Sequence, residues 1–164
     1  MASGDTLARF TALCNEPPAS AYATLDTRNS HPVLDFDSAT DEVAVFGDVL
    51  PRNYGGNGLT VLLHFSATGI TSGDVIWDVS IERIGDGVLD IDGDSFAAAQ
   101  SVTKTVSGTD GMVVVASVAF TAGAQMDSLA VGEGYRLKVS RDANNASDTA
   151  AADAELRFVE IKET

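Results

Sequence analysis

The residues with the clearest capacity for chemistry are the aspartates of a glycine-rich acidic segment at residues 85–95. Asp90, Asp92 and Asp94 have the spacing that opens an EF-hand loop, and calcium prefers oxygen ligands of this kind. The pattern then fails, because Ser95 stands where that loop has its glycine and another serine stands where it has its bidentate glutamate. The three aspartates are a candidate calcium site with an incomplete set of ligands, and the sequence favours a solvated acidic loop.

A second acidic group could carry acid–base chemistry. It consists of Asp35, Asp37, Asp41 and Glu42. Glycoside hydrolysis uses two carboxylates, one of which acts as a general acid. Nothing in the sequence indicates the raised pKa that such an acid needs. We therefore expect that the protein is not an enzyme.

Residues that bind metals or act as nucleophiles are few. His31, His64 and Cys14 are too scattered to suggest a metal site, and a single cysteine cannot form an internal disulfide. The sequence has no nucleophile elbow, phosphate loop or dinucleotide fingerprint. The sequence therefore predicts no cofactor.

Two aromatic residues are candidate platforms for a ligand. Trp77 is in phase with Val75 and Val79, which favours a place in the core. Tyr54 lies in a loop of glycine and asparagine, which makes it the better candidate for an exposed binding ring. For Tyr54 itself, however, the sequence favours a packed loop or a subunit contact.

The elements that must position these side chains are strands. In residues 74–84, apolar and polar residues alternate, which predicts a strand with one buried face and one solvent-exposed face. Similar short runs recur along the chain between turn residues. The sequence predicts an all-β fold, an antiparallel two-sheet β-sandwich of jelly-roll type with about 8–10 strands and at most one short helix. It does not fix the strand order.

The sequence also predicts four local features. Residues 100–106 read as an edge strand, and residues 112–120, apolar on both faces, read as a central strand. Residues 126–131 suggest one helical turn. A change of phase near Phe158 and Val159 predicts a β-bulge.

The first part of the chain looks less regular than the rest. We divide the chain into an N-terminal segment, residues 1–30, and a β-sandwich domain, residues 31–164. The segment could be an arm that contacts neighbouring subunits, or an irregular opening of the same sandwich. Its first six residues lack the basic and apolar regions of a secretory signal.

Composition narrows the classes of partner. The 24 acidic and 10 basic residues give a net charge of −14 over 164 residues, and the basic residues are scattered. Phosphate backbones and anionic membranes repel such a chain, so we expect neither nucleic acid nor membrane as a partner. No apolar run approaches the length of a membrane span.

Most of the chain, from about residue 20, resembles a known group of proteins. The similarity rests on residues 23–29, 31–37, 42–46, 49–54, 129–133, 135–142 and 147–149 and on the final strand. These stretches resemble small β-sandwich proteins of tailed phages and prophages, which are virion accessory proteins such as capsid decoration (cement) proteins, head fibres and tail-fibre domains. The motifs are structural and bring no catalytic residues.

The resemblance implies a viral structural protein that decorates or cements the capsid of a tailed phage, without catalysis. The implied partners are other copies of the chain, as a homotrimer, and the major capsid protein. The implied location is the virion, after synthesis in the host cytoplasm. The alternative is a receptor- or carbohydrate-binding domain of a head or tail fibre, with Tyr54 and the acidic loop as first suspects.

Overall fold

The computed structural model describes residues 4–164, and within this range the chain forms ten strands and two single-turn 3-10 helices. The strands are Thr6–Thr11 (β1), Thr24–Arg28 (β2), His31–Phe36 (β3), Glu42–Val49 (β4), Leu59–Ala67 (β5), Asp74–Ile84 (β6), Gln100–Thr105 (β7), Val114–Phe120 (β8), Gly134–Arg141 (β9) and Ala154–Glu163 (β10). The helices are Ala12–Cys14 and Ala124–Met126. In this part of the chain, no helix is long and apolar enough to cross a membrane.

The strands form two antiparallel sheets. The larger sheet has the order β2-β3-β10-β5-β8, with β1 also paired to β10, and the smaller sheet has the order β4-β9-β6-β7. Strand β10 is central: β5 runs along one side, while β3 pairs with its first residues and β1 with its later ones. The predicted all-β sandwich is confirmed.

The core lies between the sheets and follows from the alternation of each strand. Val61, Leu63 and Phe65 of β5 are fully buried, as is Trp77 of β6. The Trp77 ring packs edge-on against Phe65, with ring centres 5.2 Å apart. The predicted core position of Trp77 is confirmed.

Two local predictions hold and two are wrong. Strand β7 is an edge strand as predicted, and β10 has a register shift between Leu156 and Phe158, close to the predicted bulge. Strand β8 is also an edge strand and not central. Its apolar residues on two faces do not mean two covered faces, since Val115 on the outer face is 38% exposed. The helical turn comes earlier than predicted, since Asp127 and Ser128 adopt positive φ angles just after it.

The N-terminal segment belongs to the sandwich from Gly4 onwards. Strand β1 pairs with β10, and Phe10 stacks on Phe46 of the smaller sheet with ring centres 5.3 Å apart. Strands β2 and β3 form a hairpin across residues 28–31, so no break in the structure marks residue 30. Residues 1–3 lie outside the described part of the chain. A contact of this segment with neighbouring subunits stays a prediction.

Candidate functional site

A cleft of about 580 Å³ opens on the outer face of the larger sheet, away from the core. Strands β2, β3, β5 and β10 form its floor and sides, and the loop before β8 closes one side. Its lining combines charged, amide, hydroxyl, imidazole and apolar groups: Arg28, Asn29, His31, Val33, Ser66, Asp110, Gly111, Val113, Arg157 and Phe158.

An arginine network forms the polar side of the cleft. The guanidinium of Arg28 donates from Nη1 to Oε2 of Glu155 at 2.6 Å and from Nη2 to Oδ1 of Asp110 at 2.9 Å. The hydroxyl of Ser66 donates to the same Glu155 oxygen at 2.7 Å. The hydrogen bond from Arg28 holds the pKa of Asp110 below its usual value. This network joins β2, β5, β10 and the loop before β8, so the polar side is held in place.

The apolar side depends on the bulge in β10. Leu156 faces Phe65 and Phe158 faces His64 across β5, which leaves Arg157 as the extra residue. Arg157 and Phe158 therefore both line the cleft instead of pointing to opposite faces. The Cζ atom of Arg157 lies 4.2 Å from the centre of the Phe158 ring, which is 43% exposed.

Phe158 is braced from the neighbouring strand. The imidazole of His64 meets its ring edge-on, with centres 6.3 Å apart. On the loop before β8, Val113 is 48% exposed and supplies a second apolar surface to the cleft. The cleft thus offers apolar surfaces next to hydrogen-bonding groups, the combination typical of small-molecule sites.

A group of carboxylates lies beside the cleft on the same face of the sheet. Asp35 of β3 faces Glu155 across the strand pair. Partial burial, together with the charges of Glu155, Asp26 and Asp153, raises the pKa of Asp35 to about 6. Oδ1 of Asp35 is buried and has no hydrogen-bond partner among residues 4–164.

The predicted acid–base group does not come together as a pair. Oδ1 of Asp37 accepts hydrogen bonds from the backbone N–H groups of Ala39 and Thr40, which makes it a turn-forming residue. Glu42 accepts from the backbone of Asp37, and Asp41 accepts from the backbone of Asn144. Each of these three carboxylates stabilises a loop, and none of them lines the cleft.

The structure corrects the expectation of an exposed ring at Tyr54. Its side chain is 7% exposed, and its hydroxyl points to the sulfur of Met126 at 3.8 Å. Its backbone N–H donates to the carbonyl of Pro51. Tyr54 is therefore packed in its loop, as the favoured interpretation of the sequence had it, and its ring offers no platform to a ligand.

The candidate calcium ligands do not converge. Asp90, Asp92 and Asp94 are all exposed; the Asp92 backbone donates to the Asp90 carboxylate, and Asp94 pairs with Arg136. Within the described range, no group of three or more histidine, cysteine, aspartate or glutamate side chains is placed to hold a metal ion. The segment is a solvated acidic loop tied to β9 by one ion pair.

Comparisons with known proteins support the architecture. No protein-family model matches the chain, and no curated protein matches it. A solved carbohydrate-binding module of family 36, in complex with calcium and xylotriose, is similar over 94% of this chain and 99% of its own, with a TM-score of 0.50 and 13% identity. The family 35 carbohydrate-binding module from Cellvibrio japonicus Abf62 is similar over 94% of this chain and 92% of its own, with a TM-score of 0.52 and 13% identity.

At this level of identity the similarity shows the fold alone. The chain has the jelly-roll-like β-sandwich of carbohydrate-binding modules, over nearly its whole length. Neither structure is a phage protein, so the virion-specific part of the resemblance gains no support from them.

Proposed function

We propose that the protein is a non-catalytic carbohydrate-binding domain, and that the cleft on the larger sheet is its binding site. The observation that carries the proposal is the cleft itself, whose lining combines the Phe158 ring and Val113 with the Arg28–Asp110 pair. The two similar modules bind carbohydrate, which supports this class of ligand. This proposal takes up the alternative that the sequence left open and moves its site away from Tyr54.

The lining suits a sugar ring. One face of a pyranose carries C–H groups that pack on an apolar ring, while its hydroxyls need donors and acceptors around the edge. Phe158 and Val113 supply the apolar contact, and Arg28, Asp110 and His31 supply the polar one. A volume of about 580 Å³ is in the range of small-ligand sites.

The proposal is tested with a glycan array followed by titration calorimetry on the best ligand. The test variant is Phe158→Ala, which removes the exposed ring from the cleft. The matched control is Tyr22→Ala, because Tyr22 is another exposed aromatic residue, 48% accessible, and does not line the cleft. We expect loss of binding in the first variant and unchanged binding in the second. An array without signal, or equal binding by both variants, would refute the proposal.

A second candidate, the virion accessory protein, is favoured by one observation. Strand β8 ends the larger sheet, and none of its seven residues is charged, although the chain carries a net charge of −14. Val113 and Val115 add exposed apolar surface beside this edge. Edge strands usually carry charges or proline that prevent pairing with other chains, so an uncharged edge is a suitable surface for a second copy.

In this second reading the protein forms a homotrimer and binds a major capsid protein. Sedimentation of the wild type and of Val115→Glu tests the contribution of β8. Thr103→Glu, on the exposed edge strand β7, is the matched control. Assembly lost only in the β8 variant would support this reading, together with many copies of the chain in purified virions. A monomer at all concentrations would contradict it.

A further inference from the structure

One of the two arginines that line the cleft is not neutralised by an acid. Arg28 is paired with both Asp110 and Glu155, so its charge is compensated within the cleft. Arg157 has no carboxylate within ion-pair distance among residues 4–164. Among the described residues, Arg157 is therefore the cleft guanidinium that has no acidic partner, and it lies beside the exposed ring of Phe158.

The guanidinium of Arg157 also packs against an aromatic ring. Its guanidinium lies over the Phe158 ring, which in turn is braced by His64. A stacked guanidinium loses little further freedom on binding, and its planar edge presents parallel N–H groups. This geometry matches a carboxylate, which accepts two parallel hydrogen bonds from an arginine.

We infer that the cleft selects a carbohydrate that carries a carboxylate, a uronate residue, with the carboxylate on Arg157 and the sugar ring packed between Phe158 and Val113. This inference rests on the proposed carbohydrate-binding function. A uronate suits the cleft better than a free inorganic anion does, because the lining also supplies apolar surface that an inorganic anion would not contact. The net charge of −14 would repel a long polyanion as a whole, so short oligomers are the expected ligands.

The experiment compares two disaccharides of the same linkage, digalacturonate and its neutral counterpart galactobiose, by calorimetry near 0.15 M salt. The wild type is expected to bind the uronate at least about tenfold more tightly, since a charge-assisted hydrogen bond contributes that much or more. Arg157→Gln should abolish this preference, and Arg157→Lys should keep part of it. A sulfated galactobiose shows whether the site prefers a carboxylate to other anions.

Arg9→Gln is the matched control, because Arg9 is exposed on β1 outside the cleft and the charge change is the same. It should leave both affinities unchanged, and a melting curve for each variant confirms that it folds.

Equal affinity of the wild type for the two sugars would overturn the inference and leave the proposed function intact. An equal loss of affinity for both sugars in Arg157→Gln would have the same consequence, as would tighter binding of the sulfated sugar than of the uronate. Absence of binding to any sugar, in calorimetry and on the array, would overturn both.

Discussion

Replacing Arg141 should destabilise the protein strongly. Its side chain is completely buried at the end of β9. All five of its N–H groups have an acceptor: two go to the carboxylate of Asp148, at 2.7 and 3.0 Å, and three to backbone carbonyls, those of Phe36, Ala150 and Ala152. One residue thus fixes the connection between β9 and β10 against the end of β3.

The magnitude follows from what Arg141→Ala leaves behind. Asp148, whose side chain is 1% exposed, would keep a buried charge without its cation, with the backbone N–H of Ile76 still donating to it, and removing one partner of a buried ion pair costs about 3–5 kcal/mol. The three carbonyls would lose their donors, and water entering the vacated space would replace part of that loss, so we add about 1 kcal/mol. The expected loss of unfolding free energy is about 5 kcal/mol, a large part of the stability of a typical domain.

Urea unfolding followed by the fluorescence of Trp77, the single tryptophan, measures this loss. Trp77 is opposite Arg141 in the β6–β9 pair, so its emission reports on the same region. Arg141→Lys keeps the charge but has only three donors, and it should show a smaller loss. The control Arg9→Ala, at an exposed position, should change stability by less than about 0.5 kcal/mol. A loss below about 1.5 kcal/mol in Arg141→Ala would refute the reasoning, because an unpaired buried charge alone should cost more.

Three further predictions concern single residues. Because the pKa of Asp35 is raised to about 6, folding takes up a proton between about pH 4 and 6, and stability falls as the pH rises through this range. Asp35→Asn should therefore gain about 1–2 kcal/mol at pH 8, allowing for partial exposure, and nothing at pH 4; equal gains in urea titrations at both pH values would contradict this. Glu163, fully buried, accepts a hydrogen bond from the backbone of Gly55 at 3.0 Å, so Glu163→Ala should cost about 1–3 kcal/mol in urea and Glu163→Gln less. Gly73 has φ +112°, and a Cβ there would lie 2.7 Å from the backbone before β10; Gly73→Ala should lower the melting temperature while Gly93→Ala, in open space, should not, and equal melting curves would contradict this.

The sandwich could be predicted because the alternation of apolar and polar residues can be seen within each single strand. The run through Val75, Trp77 and Val79 assigns those residues to the core without knowledge of any partner strand. The same reasoning fails at β8, because apolar residues on both faces of a strand do not require two covered faces. The outer face of β8 is exposed, and composition alone does not separate a buried face from an apolar surface available for contact.

Arg141 shows how much of a residue's surroundings can be predicted from the alternation of apolar and polar residues within one strand. It is in phase with Tyr135, Leu137 and Val139, all of which point inward, and so its own side chain had to enter the core. Most of its acceptors lie in the loop that directly follows β9, on Asp148, Ala150 and Ala152. The carbonyl of Phe36 belongs to β3, which the sequence could not place next to β9. The inward direction of this side chain was thus predictable, whereas its contact with β3 depended on the strand order.

The candidate cleft was harder to predict than the surroundings of Arg141, because its location depends almost entirely on the strand order. Its lining comes from β2, β3, β5, β10 and the loop before β8, and no local pattern indicates that these segments meet. Glycine-rich loops are usually exposed, which favours Tyr54 as a platform, but this loop packs its only aromatic side chain against Met126. The residue type suits a sugar platform, but the structure buries this ring, in agreement with the packed loop that the sequence favours.

One signal in the sequence falls on a strand that lines the cleft. The change of phase in the last strand predicted an extra residue near Phe158, and a bulge turns two consecutive side chains to the same face. In the structure these are Arg157 and Phe158, between the inward-facing Leu156 and Val159. A regular strand would have sent either the cation or the ring into the core, where an unpaired guanidinium is costly. The bulge therefore allows a stacked Arg–Phe pair to stand on an otherwise regular sheet, and deleting Arg157 should restore the register of β10, leave the fold intact and remove the cation from beside the Phe158 ring.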